Sequence, residues 1–335
     1  MISVILPVRN EGKRIRHALD AILDQDYPKD NVEIIIADGL STDETRAIIE
    51  EYQNKQSSIQ LIDNPGEIVP TGINLAIRKS KGEIIIRVDG HCIIEKDYIS
   101  RCVHHLRNDN VHGVGGPMET IGETNLSKTI ALAMSSSFGV GNSAFRTTFG
   151  KTMLVDTVPF PAYTREIIHK VGLYDEELVR NQDDEYNYRI REFGGKLLLA
   201  ADVRSKYFSR GTLLKLWKQY FQYGFFKIRV LQKHPRQMSL RQFIPPIFVL
   251  VLVISSVLAV LTTWGPWLLR LSAGSYFIAN IIASISSSLK KGWNHLSLLP
   301  IVFLIIHLSY GLGFLAGLIK FWNRWSDKVG KVPQM

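Results

Sequence analysis

Hydrophobic and polar positions alternate differently in the two parts of the chain. Up to about residue 210, short apolar runs predict buried strands at residues 2–8, 32–37, 59–62 and 83–88. Between them, apolar residues recur at helical spacing and predict helices at residues 13–23, 41–52 and 73–78. Strands that alternate with helices predict an α/β domain with a mostly parallel sheet and helices on both faces.

Polar residues stand at the ends of three predicted strands. Arg9, Asn10 and Glu11 follow the first run, Asp38 ends the second, and Asp89 follows the fourth. In open α/β sheets the ligand binds beyond the carboxyl ends of the strands. We therefore expect these residues to form one binding site.

The C-terminal third carries long apolar stretches. Residues 243–264 and 296–319 are uncharged and about as long as the ~20 residues that cross a bilayer. Residues 271–289 form a weaker stretch that contains many serines and is also consistent with a re-entrant or interfacial segment. The pattern predicts two or three transmembrane helices.

Residues 212–231 predict a basic amphipathic helix with an aromatic apolar face. Such a helix suits the surface of an anionic bilayer, and the alternative is a helix packed on the soluble domain. Ten bases and no acids between residues 204 and 241 favour the cytoplasmic side. We expect an N-terminal domain at 1–210, an interface segment at 211–241 and a transmembrane region at 242–335, in a multi-pass protein of a bacterial-type cytoplasmic membrane with its soluble domain in the cytosol.

The net charge of +9 is unevenly distributed. Residues 1–202 carry a net charge of −7, whereas residues 203–335 carry +16 and a single acid, Asp327. A protein that binds nucleic acid through a uniformly basic surface would not show this uneven charge distribution. We therefore expect no nucleic-acid partner. The basic half predicts contact with membrane phospholipids. Two cysteines exclude a disulfide scaffold.

The loop after the first strand lacks the G-x-G-x-x-G pattern of dinucleotide-binding folds. Pro7 to Gly12 offers one glycine and one acid, which is a poor cradle for a diphosphate. Any diphosphate bound at this edge of the sheet would then be neutralised by a metal ion. Asp89 and His91 offer carboxylate and imidazole ligands that suit Mn²⁺, and the carboxylate also suits Mg²⁺.

Several motifs together resemble the inverting glycosyltransferases of family 2, which have a GT-A fold. The resemblance covers about residues 1–210 and rests on the order and spacing of six motifs: Pro7 to Glu11, Asp38-Gly39-x-Ser41-x-Asp43-x-Thr45, Asp89-x-His91, Phe160-Pro161-Ala162, Val171-Gly172-x-Tyr174-Asp175-Glu176, and Asn181-Gln182-Asp183-Asp184-Glu185-x-Asn187-x-Arg189. With the apolar C-terminal region, the chain is similar to the membrane-anchored succinoglycan-type glucosyltransferases of exopolysaccharide assembly.

The resemblance implies roles on the donor side. Asp38 would bind the nucleobase, which is uracil for a UDP-sugar, and Pro7, Arg9, Glu11 and Asp89 would complete the donor nucleotide site. The alternative for Asp38 is an Asx turn or a helix cap.

The resemblance also implies a metal site and a catalytic base. Asp89 matches the first acid of the D-x-D metal motif, and His91 departs from its second acid. Asp183 would be the base, with Asp184 and Glu185 as rivals.

Three residues are assigned to the acceptor and diphosphate side. Gly115 and Gly116 would let the backbone approach the acceptor, or else form a tight turn. Arg210 would contact the diphosphate, or else a lipid headgroup.

The chain lacks the Q-x-x-R-W motif of processive family members. We therefore expect a non-processive transfer, with glucose as the sugar, from a UDP-sugar to a polyprenyl-diphosphate-linked saccharide. The alternatives are transfer to polyprenyl phosphate and a catalytically inactive nucleotide-binding module that docks at the membrane.

Overall fold

The computed structural model describes residues 1–141, 143–328 and 330–335. The chain forms two compact units. The first unit comprises Met1–Glu119, Ala144–Tyr207 and Val329–Met335, and the second comprises Thr120–Ser143 and Phe208–Lys328.

The secondary structure follows the predicted order in the first part of the chain. The strands are β1 (Ile2–Val8), β2 (Val32–Asp38), β3 (Ile59–Asp63), β4 (Ile84–Arg87), β5 (Cys92–Ile94), β6 (Gly113–Gly115), β7 (Met118–Ile121), β8 (Met153–Leu154), β9 (Ala162–Thr164), β10 (Leu197–Leu199) and β11 (Ser205–Phe208). The helices are α1 (Ile15–Leu23), α2 (Thr45–Lys55), α3 (Val69–Lys79), α4 (Tyr98–Asn108), α5 (Asn125–Met134), α6 (Ser137–Val140), α7 (Ala144–Thr147), α8 (Arg165–Val171), α9 (Gln182–Glu192), α10 (Leu213–Lys233), α11 (Ile244–Leu261), α12 (Gly265–Lys291) and α13 (Leu299–Lys320).

The first unit is built on an eight-stranded sheet in the order β3-β2-β1-β4-β9-β6-β10-β8. Strands β1, β2, β3 and β4 run parallel to one another, as do β6 and β10. Strand β9 is antiparallel to β4 and β6, and β8 is antiparallel to β10. A smaller sheet has the order β5-β11-β7. The predicted α/β class with a mostly parallel sheet is confirmed.

The buried core explains the apolar runs of the sequence. All seven residues of β1 are buried, because β1 lies between two parallel strands and both of its faces are covered. The buried side chains of α1 (Ile15, Ala18, Leu19 and Ile22) recur every three or four residues, so this helix packs by one face.

The second unit contains three helices that are long and apolar enough to span a membrane: Leu240–Leu261, Gly265–Lys291 and Leu299–Lys320. The predicted basic amphipathic segment forms α10, which packs along α13 in the same direction. A Cβ added to Gly313 would lie 2.1 Å from the Phe221 carbonyl oxygen, and one added to Gly317 would lie 2.5 Å from that of Phe225. These two glycines let the helix backbones approach each other closely.

The units differ in two places from the division expected at residues 210 and 241. Residues 120–143 group with the C-terminal helices, because His295 bonds Thr129 and His307 bonds the Phe138 carbonyl. The last residues group with the first unit, because Lys331 bonds the Asp175 side chain. Both groupings come from contacts between residues more than 150 positions apart in the chain.

Candidate active site

The strand register brings the predicted polar positions to one edge of the sheet. Val8 pairs with Asp38 across β1 and β2, and Ile5 pairs with Arg87 across β1 and β4. The residues after β1, the last residue of β2 and Asp89 therefore lie at the carboxyl ends of three adjacent strands.

Side chains from the loop before α2 hold the loop after β1. The backbone N–H groups of Asn10 and Glu11 donate to Ser41 Oγ (2.9 Å) and Thr45 Oγ1 (2.7 Å), and that of Gly12 donates to Asp43 Oδ2 (3.1 Å). These N–H groups are therefore engaged within the protein. The loop does not present the free row of backbone donors that cradles a pyrophosphate in dinucleotide folds.

Asp38 is completely buried at the end of β2. Its Oδ1 accepts a hydrogen bond of 2.5 Å from the Ser41 hydroxyl, and the Ser41 N–H lies 3.3 Å away. Arg46 Nη1 lies 3.4 Å from Oδ2. The Asp38 side chain is thus bonded to Ser41, three residues further along the chain, and its role toward a nucleobase stays a prediction.

The other predicted donor residues surround this edge. Pro7 is buried within β1. Arg9 is exposed, and its Nη2 lies 2.5 Å from Glu67 Oε2. Glu11 Oε1 lies 2.8 Å from His91 Nδ1, and the edge of the His91 ring packs against Tyr207 at 5.0 Å between centroids.

Arg87 lies at the centre of the site. It is 5% exposed and its guanidinium contacts two carboxylates. Nε and Nη2 lie 3.0 Å and 2.9 Å from Asp89 Oδ1, and Nη1 forms an ion pair with Asp183 Oδ1. One buried cation thus joins the predicted metal ligand to the predicted base.

Asp183 is half-buried in the first turn of α9. Loss of solvent contact raises the pKa of its carboxyl, although the Arg87 guanidinium opposes the rise; the charges of Asp89 and Asp184 add to it. A carboxylate with a raised pKa is a stronger base than an ordinary aspartate.

The three acids at the start of α9 have different surroundings. Asp183 and Asp184 are half-buried, whereas Glu185 is 1% exposed. Arg189 donates to both Glu185 oxygens, with Nε to Oε1 at 2.6 Å and Nη2 to Oε2 at 3.0 Å. Arg189 also donates to the carbonyls of Val171 and Leu173. Glu185 thus orients a structural arginine, which favours Asp183 over it as the base.

A tyrosine wall lies beside Asp183 and was missed by sequence reasoning. The rings of Tyr174 and Tyr186 stack at 4.0 Å, and the Tyr163 ring lies 5.5 Å from that of Tyr186. Burial raises the pKa of the Tyr174 hydroxyl, and the charge of Asp183 adds to the rise. Tyr174 therefore stays neutral at physiological pH.

Arg87 was also missed, although the sequence contains a signal. It is the one charged residue in the run Ile84–Val88, just before Asp89. An arginine inside a buried strand needs a carboxylate partner. Asp183 lies 96 positions away, so the sequence pattern did not identify it as that partner.

Close packing explains the two glycines assigned to the acceptor side. A Cβ on Gly116 would lie 1.4 Å from the Val203 carbonyl oxygen, and one on Gly115 would lie 2.6 Å from that of Pro159. Arg210 belongs to the second unit, where its Nε donates to Gln219 Oε1 at 3.2 Å. The acceptor roles of these residues stay predictions.

The carboxylate of Asp89 and the imidazole of His91 are ligand types that suit Mn²⁺ or Mg²⁺. Within the described ranges, no group of three or more His, Cys, Asp or Glu residues could hold a metal ion. The chemistry of these two side chains fits an ion that takes its remaining ligands from a bound diphosphate and water, as Mg²⁺ commonly does.

Comparisons with known proteins identify the family of the chain. The family model of Glycosyl transferase family 2 matches residues 3–172. The chain is 27% identical to the succinoglycan biosynthesis protein ExoA of Rhizobium meliloti (strain 1021) over 330 residues, which cover 96% of each chain. It is 29% identical over 328 residues to the dolichyl N-acetyl-alpha-D-glucosaminyl phosphate 3-beta-D-2,3-diacetamido-2,3-dideoxy-beta-D-glucuronosyltransferase of Methanococcus voltae, covering 95% of this chain and 97% of the relative.

The fold has a solved counterpart. The mannosyltransferase PcManGT from Pyrobaculum calidifontis, solved with GDP-Man and Mn²⁺, superposes with a TM-score of 0.59 at 17% identity over 95% of this chain and 87% of that chain. The predicted GT-A fold is thereby confirmed. The motif resemblance and the family match agree, and the chain belongs to glycosyltransferase family 2 and is a glycosyltransferase.

Proposed function

We propose that the protein is a membrane-bound, non-processive, inverting glycosyltransferase. It moves a sugar, with glucose as the first candidate, from a UDP-sugar to a polyprenyl-diphosphate-linked saccharide in the synthesis of an exopolysaccharide or another surface glycan. One observation carries the proposal: Arg87 holds Asp183 next to Asp89 at the carboxyl edge of the sheet.

In this proposal Asp183 is the general base. Its carboxylate takes the proton from an acceptor hydroxyl while the hydroxyl oxygen attacks the anomeric carbon of the donor. The new glycosidic bond forms as the bond from the anomeric carbon to the phosphate oxygen breaks, and the nucleotide diphosphate leaves with the electron pair. Attack opposite to the leaving group inverts the anomeric centre.

The donor side is assigned to the loops after β1, β2 and β4. Pro7, Arg9, Glu11 and Asp38 contact the nucleoside, and Asp89 with His91 faces the diphosphate. A divalent ion, Mn²⁺ or Mg²⁺, held by Asp89 would neutralise the charge of the departing diphosphate. Arg87 contacts the Asp89 and Asp183 carboxylates and orients them.

The proposed acceptor is a lipid, because the second unit has three apolar helices and the basic helix α10. The names of the two relatives agree with this choice, one from succinoglycan biosynthesis and one acting on a dolichyl phosphate-linked sugar. Gly115, Gly116 and Arg210 are assigned to the acceptor and its diphosphate. The bases of residues 204–241 assign the active site to the cytosolic face of a bacterial-type inner membrane.

Purified protein in detergent, incubated with radiolabelled sugar nucleotides and lipid acceptors, tests the proposal. UDP-glucose, other UDP-sugars and GDP-mannose are supplied with Mn²⁺ or Mg²⁺. The expected result is a labelled lipid from a UDP-sugar and a diphosphate-linked saccharide. Labelling of bare polyprenyl phosphate instead would establish the alternative acceptor. No labelled lipid from any donor, with Asp183→Asn behaving like the wild type, would reject the enzymatic proposal.

A further inference from the structure

Residues 330–335, here called the tail, pack against the first unit. The Lys331 backbone N–H donates to Asp175 Oδ1 at 2.9 Å, and its carbonyl accepts from the Glu176 N–H at 2.9 Å. Asp175 is completely buried. Two hydrogen bonds thus hold the backbone N–H and the carbonyl of Lys331.

Further along the tail the contacts continue. The Pro333 carbonyl accepts from the Leu173 N–H at 3.3 Å, and the Gln334 carbonyl accepts from Arg78 Nη2 on α3 at 3.1 Å. The backbone of Tyr174, next to Leu173 and Asp175, is held in turn by Asn74. The Asn74 Nδ2 donates to the Tyr174 carbonyl, and the Asn74 Oδ1 accepts from the Tyr174 N–H, both at 2.9 Å. The tail is therefore part of the folded first unit.

This return of the chain restricts the membrane topology. The chain leaves the first unit after Tyr207 and rejoins it at the tail, and every membrane-spanning candidate lies between. A folded polar domain cannot straddle the hydrocarbon core, because its irregular backbone would lose its hydrogen-bond partners there. The segment between must cross the membrane an even number of times.

We propose that α11 and α12 form a two-helix hairpin that spans the membrane, and that α13 stays on the side of the catalytic domain together with α10. The inference rests on the membrane insertion assumed in the proposed function and adds the number and identity of the crossings.

The three apolar helices differ in the fraction of each that is buried within the second unit. In the most apolar window of each helix, 17% of α11 and 11% of α12 are buried, against 50% of α13. The hairpin is antiparallel, with the rings of Phe248 and Tyr276 stacked at 4.3 Å, and many of its outward apolar side chains are open to lipid. At 1.5 Å per residue, the 18 residues of α11 span about 27 Å, close to the ~30 Å hydrocarbon core.

Helix α13 contacts α11 and α12, but it packs most extensively along α10. The two run in parallel, and α10 carries charged residues along its length, including the buried Lys227, Arg229 and Lys233. Gln232 donates to the Phe321 carbonyl at 2.7 Å, just beyond the end of α13. A helix with this charge is costly to place in the hydrocarbon core. Because α13 packs along it, both are assigned to the interface.

The distribution of basic residues agrees with the hairpin. With α11 and α12 as the two crossings, the bases of residues 204–241, Lys290, Lys291 and the bases after α13 all lie on the catalytic side. The far side holds only Arg270, whose guanidinium lies 4.9 Å from the Trp267 ring centre. A third crossing would move Lys320 and the three bases after α13 to the far side, against the positive-inside rule.

Single-cysteine labelling in sealed membrane vesicles of each orientation tests the topology. The native Cys92 and Cys102 are buried, so the parent protein serves as the unlabelled blank. Cysteines are introduced at four exposed positions: Asn54→Cys on α2, Thr263→Cys between α11 and α12, Lys291→Cys at the end of α12, and Met335→Cys in the tail. Each variant is treated with a membrane-impermeant maleimide, with and without detergent.

Positions 54, 291 and 335 are expected to react from one face, and position 263 from the other. Reaction of 335 from the face that labels 263 would overturn the even number of crossings. Labelling of position 291 from the face that labels position 263 would overturn the choice of α11 and α12 as the two crossings. A cysteine at 263 that reacts only in detergent would show a hairpin that ends inside the bilayer and would refute the spanning hairpin. Recovery of the protein in the soluble fraction would reject membrane insertion itself.

Discussion

Arg87 and Asp183 form an ion pair that joins the end of β4 to the first turn of α9. The same guanidinium contacts Asp89, so two carboxylates that would repel each other are held together around one cation. The pair lies at the carboxyl edge of the sheet, where the proposed donor site and the proposed base meet. Most of the predictions below concern this cluster.

Asp183→Asn is expected to lower kcat by about 10²–10⁴-fold, because the amide cannot accept the acceptor proton. The affinity for UDP, measured by calorimetry, is expected to stay within a few-fold of the wild type, since the size of the side chain is kept. Asp184→Asn is the matched control and is expected to retain transfer. If only Asp184→Asn loses turnover, Asp184 and not Asp183 is the general base.

The pH dependence of kcat is expected to report on Asp183. The pKa of this carboxyl is raised by desolvation and by the neighbouring acids, and the base acts only when deprotonated. Activity should therefore rise with pH through a midpoint above the ~3.9 of an ordinary aspartate. Because the charge of Asp184 contributes to the rise, Asp184→Asn should move the midpoint to lower pH. An unchanged midpoint would contradict the assignment.

Arg87→Met is expected to move the same midpoint to higher pH, because the guanidinium lowers the pKa of Asp183. It should also reduce kcat, since the two carboxylates lose the cation that orients them. Arg87→Lys keeps the charge but cannot contact both acids through separate nitrogens, and should fall between the wild type and Arg87→Met. Identical profiles for all three proteins would show that Arg87 is only structural.

Gly116→Ala is expected to destabilise the first unit by about 1–3 kcal/mol, because the added methyl group would overlap the Val203 carbonyl. Gly211→Ala is the control: nothing lies within 4 Å of its added Cβ, and its stability should change by less than about 0.5 kcal/mol. Denaturant unfolding followed by fluorescence measures both. A stable Gly116→Ala that loses transfer would instead support the acceptor role.

His105 is expected to make stability depend on pH near neutrality. Its Nδ1 lies 2.5 Å from Asp109 and its Nε2 lies 2.8 Å from Asp202. Partial burial opposes the charged form, but the two carboxylates outweigh it and raise the pKa of His105 above its usual 6.5. This stabilisation is complete below about pH 6.5 and is lost as the pH rises through the raised pKa. Melting temperatures from pH 6 to 9 should fall in the wild type and stay flatter in His105→Gln.

Local sequence patterns predicted the elements of the first unit because its strands are buried on both faces and its helices on one. The runs at β1, β2 and β4 and the acids that follow them were enough to predict the α/β class and the edge of the sheet that carries the site. The motifs of that edge also pointed to the glycosyltransferase family, which the family model confirms.

The sequence by itself thus determined the parallel sheet, the family and the apolar helices, because each leaves a periodic or motif signal along the chain. The tertiary structure alone decided that Arg87 joins Asp89 to Asp183, that Glu185 is engaged by Arg189, and that the tail returns to Asp175. The first and last of these contacts join residues 96 and 156 positions apart. Burial of a charge or a backbone group requires a partner but does not say where in the chain that partner lies, and only the folded arrangement supplies it.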